Sequence, residues 1–435
     1  MVFRLLIAVA ILGVAACDDD SSPTSGETSD TRAEATGSPE ACGEPSPTRA
    51  ADGPLAEMRE IGTNGDVRVE AAVYPRPSYE GELWTHWGQG IVLPDGRYLS
   101  AIGDHVGRDG NSYLYVYDPE RDELTELTDV LSLVDHDDGD WGYGKIHAQM
   151  VAGPCDEVYV ATYWGTRSDL EFGDTYTGDL LLRVDPDSLE IEVLGVPVAE
   201  RGVPSMAGDS EEGLLFGEAA HPVEEDDRTV GDFFAYDVRT EEVVFKTDDD
   251  RHGGYRSIAV GPEGTVYLAG QGNKLLTWNP GQTELEEHGE TLPGAMLRAA
   301  TEPAPDGTVY GVTEDPAVFF ALRPDGSIEQ LGEAMGYTTS LALSPDGSRF
   351  YSVPGAHGDA WEDGTPLVSV DTETGEQSVV VELNPMIEEA LDLTAGGSYS
   401  VAVDPSGNTV YVALNAGTDP DDAWGEIVLA VVHLE

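Results

Sequence analysis

Residues 401–414 read VAVDPSGNTVYVAL. An apolar run meets Asp-Pro-Ser-Gly, and a second run rich in Val and Tyr follows. Pro405 fixes φ at one turn position, and Gly407 accepts a positive φ later in the turn. β-Branched and aromatic residues on both sides favour strands. The stretch is therefore a β-hairpin. The same pattern occurs as GIVLPDGRYLSAIG (90–103), AQMVAGPCDEVYVATY (148–163), SIAVGPEGTVYLAG (257–270), ATEPAPDGTVYGVT (300–313) and LALSPDGSRFYSV (341–353). A degenerate copy without the Pro, SMAGDSEEGLLFGEA, covers 205–219. Their turns are centred near Asp95, Cys155, Glu211, Glu263, Asp306, Asp346 and Ser406.

Working outward, each hairpin is followed by a third strand that ends in a turn pair, as in LYVYDPE (114–120) and LLRVDPD (181–187). A fourth strand follows, such as ELTELTD (123–129). Four strands per unit, at a spacing of roughly 40 to 60 residues, are the blade of a β-propeller. The last unit runs out of chain after EIVLAVVHLE (426–435), with three strands. DVRVEAAVYP (66–75) has strand composition and precedes the first complete unit. It is expected to supply the missing strand and close the ring, which removes the open edges. The fold class is all-β, a seven-bladed propeller over residues 54–435. NPMIEEALDL (384–393) is the one segment that reads as a helical turn.

This repeat resembles the bacterial seven-bladed propellers of the YVTN and NHL type. The resemblance implies the fold. It does not choose an activity, because propellers host binding modules, lyases, lactonases and dehydrogenases.

The amino terminus reads as an address. LLIAVAILGVAA (5–16) is too short to span a bilayer and fits the apolar core of a signal peptide. GVAAC (13–17) resembles the lipobox of bacterial lipoproteins. That resemblance implies a signal peptide over 1–16, lipidation of Cys17, and membrane attachment through the lipid alone. Residues 17–53 then form an acidic tether rich in Ser, Thr, Pro, Glu and Gly, whose composition cannot bury enough surface to fold. The expected location is exported and lipid-anchored, on the extracytoplasmic face of the bacterial membrane. Cys42 and Cys155 leave a disulfide open in such a compartment.

The chain has 83 acidic and 22 basic side chains, a formal net charge of −61. That charge excludes nucleic acid and anionic lipid surfaces as partners. A monomer is expected, and the acidic surface favours solubility.

Scarce cations and imidazoles locate a candidate site. In each blade the start of the innermost strand and the end of the second strand lie on one face of the ring, beside the axial channel. Seven residues before each turn Pro stand Trp87, His147, Tyr255, Arg298, Thr338 and Ser398. His86, Arg256 and Tyr399 are one step away. The ends of the second strands add His105, Tyr163, Trp164, Arg167, His221 and His357. Five of the nine histidines thus map to one mouth. Lys145, one of only three lysines, shares a strand side with His147 because it lies two residues away.

Two chemistries fit this set. In the first the mouth binds a ligand through His86, Lys145, Trp164, Arg167, His221, Arg298, His357 and Tyr399. That ligand is a sugar polymer, a small anion or a surface protein. In the second the protein is an enzyme, with His105, His147 and Tyr163 moving protons and Arg256 neutralising a carboxylate. This second set resembles, in residue types and fold, seven-bladed polysaccharide lyases that act on uronic-acid polymers; the resemblance implies a lyase or hydrolase. A divalent metal (Zn, Mn or Ca) held by His86, His105 and His147 is a further expectation. DHDDGDWG (135–142) and DPDDAWGE (419–426) have the composition of calcium loops but not the EF-hand spacing, and read as solvated acidic loops.

Overall fold

The computed structural model describes residues 53–77, 84–105, 108–137, 140–164, 176–220, 232–247, 251–252, 258–358, 360–419 and 423–434. Seven antiparallel sheets follow one another along the chain, five with four strands and two with five. The protein is a seven-bladed β-propeller. From the innermost strand outward, blade 4 runs Ile258–Val260, Val266–Ala269, Lys274–Trp278 and Glu286–Thr291. Blades 1, 2, 3, 5 and 6 repeat that order.

The expected turn chemistry is present. Asp95, Asp306 and Asp346 each accept the N–H two residues on, at 3.1, 2.9 and 3.0 Å. The following Gly96, Gly307 and Gly347 take positive φ. The copy without a Pro forms an equally complete hairpin, Gly202–Asp209 with Leu214–Ala220. There the Asp209 carboxylate accepts the N–H groups of Glu211 and Glu212, each at 3.0 Å, so an Asp-capped turn replaces the Pro.

Ring closure follows the expectation. Val67–Val73 pairs antiparallel with Glu426–His433, with Ala71 opposite Ala430, and is the fourth strand of blade 7. Arg59–Asn64 adds a fifth strand to that blade, and Leu55–Glu57 adds one to blade 1. Neither addition is legible in the composition. The segment read as a helical turn is a nine-residue helix, Leu383–Leu391, packed through Leu383 and Ile387 against the blade 6 to 7 core.

Apolar clusters occupy the spaces between consecutive blades, for example Leu99, Leu114 and Val116 of blade 1 against Val158, Val160 and Leu182 of blade 2. The seam where the ring closes carries additional polar locks. His86 N–H donates to Asn415 Oδ1 at 2.8 Å, and Asn415 Nδ2 donates back to His86 O at 2.9 Å. Gly90 N–H donates to Ser400 Oγ, and Tyr98 hydroxyl pairs with the same oxygen.

Cys155 is disulfide-bonded; its partner lies outside the described residues. No helix among the described residues is long and apolar enough to cross a membrane.

Candidate functional site at the channel mouth

Two sets of loops build the mouth. One precedes the innermost strands, and the other joins second to third strands. Isolated bridges Thr85–Gly103, Lys145–Tyr163 and Thr338–Pro354 extend the inner hairpins toward that face. They bring the two sets together as the repeat geometry requires.

Trp87 is the hub. Its ring centroid lies 4.9 Å from Tyr399, 5.1 Å from His357, 5.5 Å from Trp424 and 5.6 Å from His105. His147 stacks nearly parallel to it at 6.3 Å. The Lys145 ammonium stands 4.1 Å from the centre of the Trp87 ring and 5.5 Å from that of Tyr163. All of these partners except Trp424 stand at the positions expected from the repeat, in blades 1, 2, 6 and 7. Lys145 and His147 share their strand side, as their spacing requires.

Tyr163 and Trp164 continue the aromatic wall. Tyr163 is 5.4 Å from His147 and 3.8 Å from Trp164. Lys145 is 8% exposed. An ammonium held this far from water, against two rings, gains more from cation–π attraction than it would on an open surface. His147 Nδ1 lies 2.7 Å from Pro204 O. A neutral imidazole that donates from Nδ1 keeps Nε2 as its basic nitrogen.

Below the mouth, His147 and Arg298 line one narrow part of the channel together with Gln89 and Thr339. Arg298 Nε donates to Tyr337 hydroxyl at 2.9 Å, its guanidinium lies over the Tyr337 ring at 5.1 Å, and Glu314 is 3.5 Å away. The channel then widens to about 560 Å³. Glu302 is the only ionisable side chain lining that wider part among the described residues. Its side chain is exposed to the channel space, and desolvation by the surrounding wall raises its pKa.

Two expected roles need correction. His86 does not face the mouth. It is fully buried, with Nδ1 2.9 Å from Ala101 O, and forms part of the seam with Asn415. A one-residue step along a strand reverses the side-chain direction, so Trp87 takes the mouth and His86 the interior. The structure does not bring His86, His105 and His147 together as one set of ligands. Among the described residues no three His, Cys, Asp or Glu side chains are placed to hold an ion.

The other expected residues divide cleanly. His105, Lys145, His147, His357 and Tyr399 gather around Trp87, Tyr163 and Trp164 extend the wall from His147 and Lys145, and Arg298 lies just below. Arg167, His221 and Arg256 lie outside the described residues, as does Cys17.

Sequence reasoning missed Trp424, which sits in a stretch read only as an acidic loop. It also passed over the His252–Glu218 pair, 2.7 Å apart and 1% exposed on each side chain, which links blade 4 to blade 3. His252 bridges Gly270 just as Lys145 bridges Tyr163, and that equivalence was the available signal.

No known family profile matches the chain, and no curated protein matches it in sequence. Solved structures do match in shape. The WD40 repeats of RRP9 align with a TM-score of 0.53 at 10% identity, over 87% of this chain and 100% of that one. Virginiamycin B lyase from Staphylococcus aureus aligns with 0.53 at 9% identity, over 85% and 100%. A chain of the mitotic checkpoint complex aligns with 0.51 at 13% identity, over 83% and 95%. The likeness is one of fold. At such identities the shared propeller carries no activity from one protein to another.

Proposed function

We propose that the protein is an exported, lipid-anchored propeller that binds an anionic sugar polymer at the channel mouth. The observation that carries this reading is Lys145, held 4.1 Å above Trp87 among stacked rings in a chain of net charge −61. Trp87 and Trp424 are half-buried and offer flat surfaces to the C–H faces of sugar rings. Lys145 and, deeper, Arg298 supply the positive charge that a uronate carboxylate requires. The lipobox-like GVAAC and the acidic tether support display outside the cytoplasm.

Calorimetric titration of the protein with oligouronates and with neutral glucans of equal length tests this. Trp87→Ala and Lys145→Met are each expected to weaken oligouronate binding at least tenfold. Affinity for oligouronates equal to that for neutral glucans, or unchanged in both variants, rejects the mouth as the site.

One observation favours catalysis as a second reading. His147 and Tyr163 stand 5.4 Å apart beside Lys145. His147 Nε2 would take the proton α to the uronate carboxylate, Lys145 would neutralise the enolate charge, and Tyr163 would protonate the departing glycosidic oxygen. The products are a shortened polymer and an unsaturated uronate. Absence of unsaturated product with every polyuronate that binds would exclude this reading and leave the first intact.

A further inference from the structure

A second, partly open space lies apart from the channel, between the loops of blades 1 and 2. It has a volume of about 160 Å³ and is walled by Trp141, Tyr143 and Tyr176, with Asp135, Asp140 and His136 on its lining. A cavity of ~150 Å³ is large enough to hold a benzene-sized guest. Trp141 and Tyr176 meet edge to face, centroids 6.0 Å apart at 78°, and form two walls of a corner. Both rings are nearly buried, at 4% and 6% exposure. They belong to the same apolar cluster as Tyr163 and Trp164.

The chemistry of the walls points to a cation. Aromatic faces carry negative potential, and two carboxylates share the lining. Tyr176 hydroxyl donates to Asp179 Oδ2 at 2.5 Å, behind the ring, and Thr162 donates to the other oxygen at 2.7 Å. These bonds hold the Tyr176 ring in place. Trp141 already holds one cation, Arg108, 5.5 Å from its ring centre and outside the lining of the space. A metal ion does not suit it, because no three ligating side chains converge among the described residues. A primary ammonium is strongly hydrated and loses more than the rings return, whereas a methylated cation is diffuse and apolar at its surface. His136 Nε2 is buried and makes no hydrogen bond among the described residues. The carboxylates of Asp135 and Asp140 on the lining offer acceptors to a hydroxyl on the guest.

We infer that this aromatic corner between blades 1 and 2 is a binding site for a small quaternary ammonium ion bearing a hydroxyl group, of which choline is the simplest example. The acidic lining selects the free cation over its phosphate ester.

The test is calorimetric titration of the whole protein with choline, ethanolamine and phosphocholine at constant ionic strength. Saturable choline binding is expected, at least tenfold tighter than for ethanolamine or phosphocholine. Trp141→Leu and Asp140→Asn should each weaken it at least fivefold, while Trp87→Ala at the mouth leaves it unchanged. Asp140→Asn removes charge without removing bulk, so it stands if the Trp141 variant fails to fold. No saturable binding by the native protein overturns the inference. So does equal affinity for ethanolamine, tighter binding of phosphocholine, or loss of choline binding in Trp87→Ala with Asp140→Asn unaffected. Because oligouronate binding is read at Trp87 and choline binding at Trp141, failure of either leaves the other standing.

Discussion

Replacing Asn415 by Ala should open the seam that closes the ring. The Asn415 amide satisfies both backbone groups of His86, accepting at 2.8 Å and donating at 2.9 Å, and its side chain is fully buried. Truncation leaves one buried N–H and one buried C=O without these partners. Each such loss costs about 1–3 kcal/mol, so the pair is worth about 2–6 kcal/mol. Water entering the space left by the amide would pull the value toward the lower end, about 3 kcal/mol. Urea unfolding followed by far-UV circular dichroism measures it, with the slope against urea expected to stay unchanged. Asn415→Asp is the informative companion. It keeps an acceptor for His86 N–H but sets a carboxylate oxygen against His86 O, so it should be at least as damaging at neutral pH. A loss below about 0.5 kcal/mol in Asn415→Ala, the size of an ordinary surface change, would refute the seam argument.

Burial raises the pKa of Asp179 to about 7, partly offset by its bonds from Tyr176 and Thr162. A raised carboxyl pKa means that the folded state holds the proton longer than the unfolded chain does. Its contribution is full below the unfolded value near ~3.9 and is lost as pH rises toward about 7, at most about 4 kcal/mol in all. Native protein should therefore lose stability relative to Asp179→Asn between pH 4 and 7, and parallel denaturation profiles of the two proteins would contradict this. Gly103→Ala would place a Cβ 2.3 Å from Gly144 O and 2.8 Å from Lys145 Cα. It should cost about 1–3 kcal/mol by overpacking and weaken oligouronate binding by shifting Lys145 off Trp87; a titration showing native affinity would contradict the second effect. With 83 acidic and 22 basic side chains, self-repulsion should fall as the screening length shrinks from ~30 Å at 0.01 M salt to ~3 Å at 1 M. The melting temperature should accordingly rise with sodium chloride, and a fall would show that attractive pairs dominate.

The blades were legible because each turn carries its own cause within a few residues. Pro, an acid and Gly specify the hairpin locally, and at Asp209 an acid and Gly213 suffice without the Pro. The closing strand was legible by subtraction, since three strands at one end of the chain and an unassigned strand at the other leave one arrangement. The strands Leu55–Glu57 and Arg59–Asn64 were not legible. Their sides are largely exposed, so no alternation of burial marks them, and Arg59–Asn64 pairs with Val67–Val73 in a blade whose three inner strands lie hundreds of residues away in sequence. Trp424 was hidden for a related reason, because its surroundings in sequence are acidic and its neighbours in space are aromatic.

The site itself shows where counting along a strand holds and where it slips by one. Counting seven residues back from Pro94 and Pro154 reaches Trp87 and His147, and both stand at the mouth. In blade 7 the same count reaches Ser398, which is buried and donates to Ala413 O, while its neighbour Tyr399 meets Trp87. The pairing explains the slip. Ser398 faces Leu414 and Ser400 faces Ala413, so Tyr399 is an extra residue with no partner across the strand. Arg298 is the extra residue of a matching bulge in blade 5, between Leu297 and Ala299. Bulges re-aim side chains without breaking a sheet, and here each turns a large polar side chain toward the axis. A blade with regular pairing offers the channel every second residue of its inner strand. The inner pair of blade 3 is bulged as well, between Gly202 and Ser205; in blades 5 and 7 the bulge adds one position, occupied by Arg298 and Tyr399. The mouth is thus built by two devices, a repeat that brings seven strand starts to one place and local insertions that choose which side chain each start presents. Only the first leaves a periodic mark in the sequence.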